Sequence, residues 1–301
     1  MSVPGLERII LGHNPFFGVD HLSQERGNEK AREFEDTSRI IDILRDCNEL
    51  GVRGLMMSTH PRASEVAAGM QREPALSGWR VYPLVPYITK YIRGANERGL
   101  VNLAMELLSQ ASLGQKFRMV LQGGRGLLGK DFRQAVSLLI DVELVPFRRL
   151  PLGAVFLHDT LTDLALGLGL DSVLELFREH VARHYGVPAG LATKNLPLLR
   201  ERLDRLGWPE PLIMASFNRA GFYMNPSAEG CAEAVRRPGM RFVAMNTLAG
   251  GYLKPDAAYR FLAQFPTVCS IVVGVSRKDH AAQTIEAIRR HFEQRNDRSH
   301  S

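Results

Sequence analysis

The sequence predicts an α/β protein, a (β/α)8 TIM barrel with one candidate strand too many. Three observations lead there. Short apolar runs rich in strand-forming residues alternate with helix-period segments along all 301 residues. Most of those runs end abruptly in His, Asn, Lys or Gln. The length suits a single barrel, and no Gly/Ser linker or low-complexity tract divides the chain, so one domain over 1–301 is expected. A buried parallel strand reads as a continuous hydrophobic run, and strand–helix alternation implies right-handed crossovers. In such barrels the chemistry sits where strands end in polar residues. A doubly wound open sheet is the architectural alternative, but it lacks a glycine fingerprint after its first strand.

Arg8 to Gly12 forms the first strand, and His13-Asn14-Pro15 closes it where proline stops regular pairing. Residues 14–34, charged and glycine-bearing, read as a long connection, either a lid over the barrel mouth or an ordinary surface loop. Asp36-Thr37-Ser38 offers an N-cap for a helix through Leu50, which Gly51 ends. Val52 to Met57 is the second strand, running into Ser58-Thr59-His60-Pro61, and Ser64-Glu65 begins a short helix. Arg80 to Ile88 is the third, with Pro83 and Pro86 marking bulges or an irregular end; Thr89, Lys90 and Tyr91 follow. After a helix over Glu97 to Gln110 comes a strand over Lys116 to Leu121, ending in Gln122. The run Gly123-Gly124-Arg125-Gly126 is either a flexible turn or a phosphate-holding loop. Asp131 to Val142 is helical again.

Ala154 to Asp159, AVFLHD, is the strand around which the second half is arranged; it ends in His158 and precedes a helix over Asp171 to Tyr185. Pro188 to Thr193 is closed by Lys194-Asn195, with a helix over Leu196 to Leu206. Pro211 to Phe217 ends at Asn218. Met240 to Met245 ends at Asn246-Thr247, with Gly250-Gly251 beyond. Ser270 to Val275 is the last strand; Ser276-Arg277-Lys278-Asp279 opens a helix to about Phe292, and 294–301 is expected to fray. These make nine candidate strands for a barrel of eight, the surplus lying among 8–14, 80–88 and 116–121.

The net charge of +6 comes from dispersed arginines, mostly near helix ends, rather than from one basic element interleaved with aromatics. Nucleic acid is therefore not the expected partner; an anionic small molecule is. Three cysteines, none in CxxC spacing, signal neither a disulfide framework nor a zinc site. No apolar run approaches membrane-spanning length and no signal peptide is visible, so a cytoplasmic protein free of the membrane is expected, with homo-oligomerisation left open.

Several stretches resemble the aldo/keto reductase superfamily: AVFLHD; GLATKN (Gly190 to Asn195); FVAMNTLAGGYL (Phe242 to Leu253); SIVVGVSRKDHAAQTIEAI (Ser270 to Ile288); and, more loosely, LGHNPFFG (Leu11 to Gly18). The resemblance implies a barrel reducing carbonyls with a Tyr acid supported by Asp, Lys and His. His158 matches the histidine, and Lys90 follows the third strand as the lysine does. Gly274, Ser276 and Arg277, with Gly250 and Gly251, match the region that grips the adenosine-phosphate end of NADP. The departures fall at the chemistry: Ser58 replaces the aspartate, no tyrosine follows it, Met245 replaces the nicotinamide-stacking aromatic, and Ser216-Phe217-Asn218 replaces the strand end that carries the carboxamide-binding glutamine.

Hydride delivery leaves an alkoxide that needs a proton donor, worth about 10²–10⁴-fold. With that donor unmatched, the expected function is acid–base chemistry of lyase, dehydratase or isomerase type on a small carbonyl- or hydroxyl-bearing metabolite, phosphorylated or not, with no cofactor favoured. His158, His13, His60 and Lys90 are the catalytic candidates; each histidine has the alternative of packing within the fold. Asn195, Asn218, Asn246, Gln122 and Lys194 are substrate-binding candidates. The spacing of the histidines names no metal ligand set. An atypical NADP-dependent oxidoreductase, with Tyr87 or Tyr91 as phenol, is the first alternative, and a non-catalytic ligand-binding or regulatory barrel the second.

Overall fold

A computed structural model of the chain describes residues 6–20, 22–87 and 130–298. Eight parallel strands close into a barrel in chain order: β1 Ile9–Gly12, β2 Gly54–Ser58, β3 Arg80–Val85, β4 Val155–Leu157, β5 Ala189–Ala192, β6 Leu212–Ser216, β7 Arg241–Met245 and β8 Val268–Val273. Closure is made by β1 on β8, where Ile9 faces Ile271 and Leu11 faces Val273. The strand surplus is resolved by β3 pairing directly with β4, Leu84 opposite Phe156. Both 8–14 and 80–88 thus contribute barrel strands, and the ring is complete without 116–121. That stretch, the 97–110 helix, Lys90, Tyr91, Gln122 and the 123–126 glycine run lie outside the described residues.

Pleat alternation sorts the strand residues into two cores. Ile10, Met56, Tyr82, Phe156, Met214 and Val243 belong to a cluster that fills the barrel. Their neighbours Leu11, Leu55, Val81, Val155, Ile213 and Phe242 face the helices in a larger cluster. Two glycines make room for the interior rings: a Cβ on Gly153 or on Gly190 would lie 2.3 Å from the Tyr82 or Phe156 ring, respectively.

Along the described residues the helices are α1 Gln24–Glu33, α2 Thr37–Glu49, α3 Ala63–Arg72, α4 Lys130–Glu143, α5 Asp159–Leu168, α6 Asp171–Tyr185, α7 Leu196–Arg205, α8 Ala228–Arg236, α9 Pro255–Leu262 and α10 Lys278–Arg298. The Asp36 side chain accepts the Ser38 N–H, as the N-cap reading anticipated. None of these helices is long and apolar enough to cross a membrane.

Two expectations are corrected. Residues 14–34 are not a loop throughout: a 3-10 turn, Asn14–Phe17, leads into α1. Their joint is tight, since a Cβ on Gly27 would lie 2.5 Å from the Gly18 carbonyl oxygen, and Asp20 ties the turn to Lys30 at 3.1 Å. Polar α1 buries only Gly27, so no apolar period announced it. The C-terminal stretch expected to fray continues α10 as far as Arg298. Helices α5, α8 and α9, each ten residues or shorter, also carried too few apolar repeats to be expected.

Candidate active site

The mouth of the barrel, at the C-terminal ends of the strands, gathers three imidazoles. His13 follows β1, His60 follows β2 and His158 follows β4. Phe17, delivered by the 3-10 turn after β1, lies between two of them. Its ring stacks on His60 at 4.1 Å with planes 11° apart and sits 5.6 Å from His13. Tyr87, just past β3, meets His60 edge-on at 5.3 Å. Burial lowers the His13 pKa to about 4; the Met56 backbone opposes the shift, and His60 and His158 add smaller pushes downward. Their effect records how close the three rings lie. Burial, with help from Arg62, also lowers the His60 pKa. His13 is therefore neutral at pH 7.

His158 sits where β4 turns into α5. The strand has already ended at Leu157, so strand alternation no longer separates His158 from Asp159. At Nδ1 the ring meets both an acceptor and a donor: Asp159 Oδ1 at 2.9 Å and the Thr160 N–H at 3.2 Å. A neutral ring protonated at Nε2 accepts from Thr160, whereas a ring protonated at Nδ1 donates to Asp159. Both protonation states have a partner. Asp159 is destabilised as an anion by burial, but His158, Lys194 and Thr160 outweigh this and hold its carboxyl below the usual range. Lys194, 64% exposed, stands 3.9 Å from Asp159. Beneath it, Asp163 accepts the Thr193 hydroxyl and the Lys194 N–H; burial and neighbouring Asp159 still raise its pKa.

The asparagines are engaged within the chain. Asn195 caps α7 by accepting the Leu198 N–H at 3.2 Å. Buried Asn218 accepts from Ala220 and Phe222 and donates to the Phe222 and Asn246 carbonyls, which fixes the loop after β6. Asn246, at φ +53°, donates to Ser216 Oγ at 2.8 Å. Expected as a ring of ligand groups, they act in this geometry as braces of the mouth.

Beyond β7, Gly250 and Gly251 have φ of +70° and +94°. A Cβ on Gly251 would meet open space, while one on Gly250 would lie 2.8 Å from the Leu22 side chain. Gly274 is exposed beside Pro15, and Arg277, 63% exposed, is paired with Asp279 at 2.7 Å before α10 begins. Among the described residues no group of three His, Cys, Asp or Glu side chains is arranged to hold a metal ion.

Two further groups belong to this mouth: Ser58, marked in the sequence only as standing in place of an aspartate, and Glu143. The Ser58 hydroxyl, 3% exposed, has no hydrogen-bond partner among the described residues. By strand alternation with Met56 it faces the barrel interior. The buried Glu143 reaches the mouth from α4. In sequence it is one acid at a helix end, and no local signal separates it from a solvated one.

The ring of strands and its polar mouth define a (β/α)8 barrel. No family model and no curated protein matches the chain. Among solved structures, it is similar to a protein from Pseudomonas aeruginosa described provisionally as an aldo-keto reductase, with TM-score 0.59 and 13% identity over 95% of this chain and 91% of that one. It is also similar to a protein described provisionally as 2,5-diketo-D-gluconic acid reductase B, with TM-score 0.56 and 13% identity over 97% and 87%. At such identity the likeness is one of fold.

Proposed function

We propose that this chain is an oxidoreductase reducing a small, anionic carbonyl compound at the barrel mouth, with an NADP-type dinucleotide as cofactor. The structural neighbours are reductases by their descriptions and lend no support to the redox-free lyase or isomerase expectation, which this reading replaces. The observation that carries the proposal is His158 at the end of β4, its Nδ1 provided with a partner in either protonation state.

Side-chain-free Gly250 and Gly251, with exposed Arg277 and the start of α10, fit the phosphate-bearing end of a dinucleotide. Gly274, Ser276 and Arg277 would hold that end; when bound, the reduced dinucleotide supplies hydride. With Nδ1–H held by Asp159, the Nε2–H of protonated His158 passes its proton to the oxygen that becomes the alcohol, and solvent restores it. Lys194 attracts a carboxylate or phosphate on the substrate, and neutral His13 avoids placing a second cation beside His158.

The test is a fluorescence titration with NADPH, followed by turnover of 4-nitrobenzaldehyde. Micromolar binding, with turnover abolished by His158→Ala, is expected. Absence of NADPH binding to the folded chain would remove the reductase reading.

A further inference from the structure

Glu143 is the last residue of α4 and, at 3% exposure, the only fully buried Asp or Glu among the described residues. Burying a carboxylate costs several kcal/mol unless hydrogen bonds replace its water. A carboxyl group at this depth is therefore held by specific partners.

Its donors come from the ends of two barrel strands. Oε2 accepts the Thr59 hydroxyl and, at 3.1 Å, the Tyr87 N–H; the same amide also reaches Thr59 Oγ1 at 3.2 Å. Thr59 directly precedes His60, and Tyr87 carries the ring that meets His60 edge-on. One carboxylate oxygen thus ties the residue before the imidazole to the residue packed upon it. On its opposite face His60 is held by Phe17, while its Nδ1 accepts the Arg62 N–H at 3.2 Å. Through Glu143, a side chain from α4 reaches that ring assembly.

We infer that Glu143 is a positioning residue for the mouth. It fixes the ends of β2 and β3 in the arrangement that presses the Tyr87 ring against His60, and acts through those two groups rather than on substrate. This rests on the mouth being the reacting site, as proposed above, but it can be judged without turnover.

The test uses the full chain and the variants Glu143→Leu, Glu143→Gln and Thr59→Val. The first readout is the nuclear Overhauser effect between the His60 and Tyr87 ring protons. The second is kcat and KM with NADPH and 4-nitrobenzaldehyde. Glu143→Leu should lose the ring contact and at least tenfold in kcat while KM for NADPH stays within twofold. Glu143→Gln keeps an acceptor for the Tyr87 amide and should restore the contact and most of kcat. An undiminished ring contact in folded Glu143→Leu would overturn the inference. If that variant fails to fold, Thr59→Val decides: a weakened contact supports the assignment and an unchanged one refutes it. A wild-type chain that neither binds NADPH nor turns over sinks the reductase reading alone, and the ring contact then judges Glu143.

Discussion

The two ends of the barrel use their polar side chains in opposite ways. At the floor, where strands begin, they complete the fold. Tyr82 OH accepts the Glu7 N–H at 2.8 Å and Ser270 donates to the Glu7 carbonyl at 2.6 Å. Three arginines line a cavity of about 220 Å³ there, yet each donates to the main chain: Arg8 to Val268, Arg53 to Asn48 and Val52, and Arg289 to Leu50. Two of them cap the last carbonyls of α2, a favourable place for a cation. At the mouth, Ser58 has no partner among the described residues, His13 is deprived of its charge and His158 has provision for two protonation states. A buried polar group left without a partner costs stability. The comparison sets a cavity at the end whose polar groups complete the fold against a mouth that leaves polar atoms open to a ligand.

The sharpest way to break this contrast is His158→Ala. Loss of the proposed acid should lower kcat/KM by about 10²–10⁴-fold with little change in unfolding free energy. If carbonyl turnover in the variant equals wild type, the mouth is not the reacting end as drawn.

The next effect is a pH dependence of stability set by His13. Its folded pKa of about 4 lies below the ordinary histidine value, so between roughly pH 6.5 and 4 the unfolded chain takes up a proton that the folded chain refuses. Stability should therefore fall as pH falls through that window and level off below it, by about 3 kcal/mol at most. Urea unfolding of His13→Asn beside wild type isolates the contribution; the variant's curve should be flatter across that range.

At the floor the expectation is reversed. Arg53→Ala should cost about 1–3 kcal/mol in urea unfolding, through the loss of charged hydrogen bonds to two carbonyls, and leave kcat/KM unchanged. A floor variant that abolished turnover while folding normally would erase the distinction between the ends.

The smallest effect concerns the thiols. Burial raises Cys47 to about 12 and Cys231 and Cys269 to about 11. The thiolate is the reactive form, so native protein at pH 7.5 should resist iodoacetamide over hours while urea-unfolded protein reacts at all three positions. Rapid labelling of native Cys269 would show that the wall between β7 and β8 opens.

Much of the fold was legible because burial leaves a local trace. AVFLHD and the run from Ser270 to Val275 are largely apolar; β4 falls within the first, and β8, Val268–Val273, overlaps the second. The helix over Thr37–Glu49 was readable from its Asp36 cap and its apolar period. An element without an apolar trace is not legible in this way: α1, which buries one glycine, has the sequence of a loop. The mouth was legible as a place, since His13, His60 and His158 all follow strands there, but the state of each group was not. Asn195 and Asn218 have the look of ligand groups in sequence and turn out to hold main-chain amides and carbonyls.

The chain by itself determined a parallel barrel and the end at which its polar residues collect. Both follow from periodicity and from which residue comes last in each strand, properties confined to a few neighbours. The tertiary structure alone decided that eight strands suffice, that Thr59 and Tyr87 share the carboxylate of Glu143, and that Arg8 and Arg289 at the floor are already engaged. Those outcomes depend on partners tens to hundreds of residues apart, and a hydrogen bond across such a separation is written in coordinates rather than in spacing.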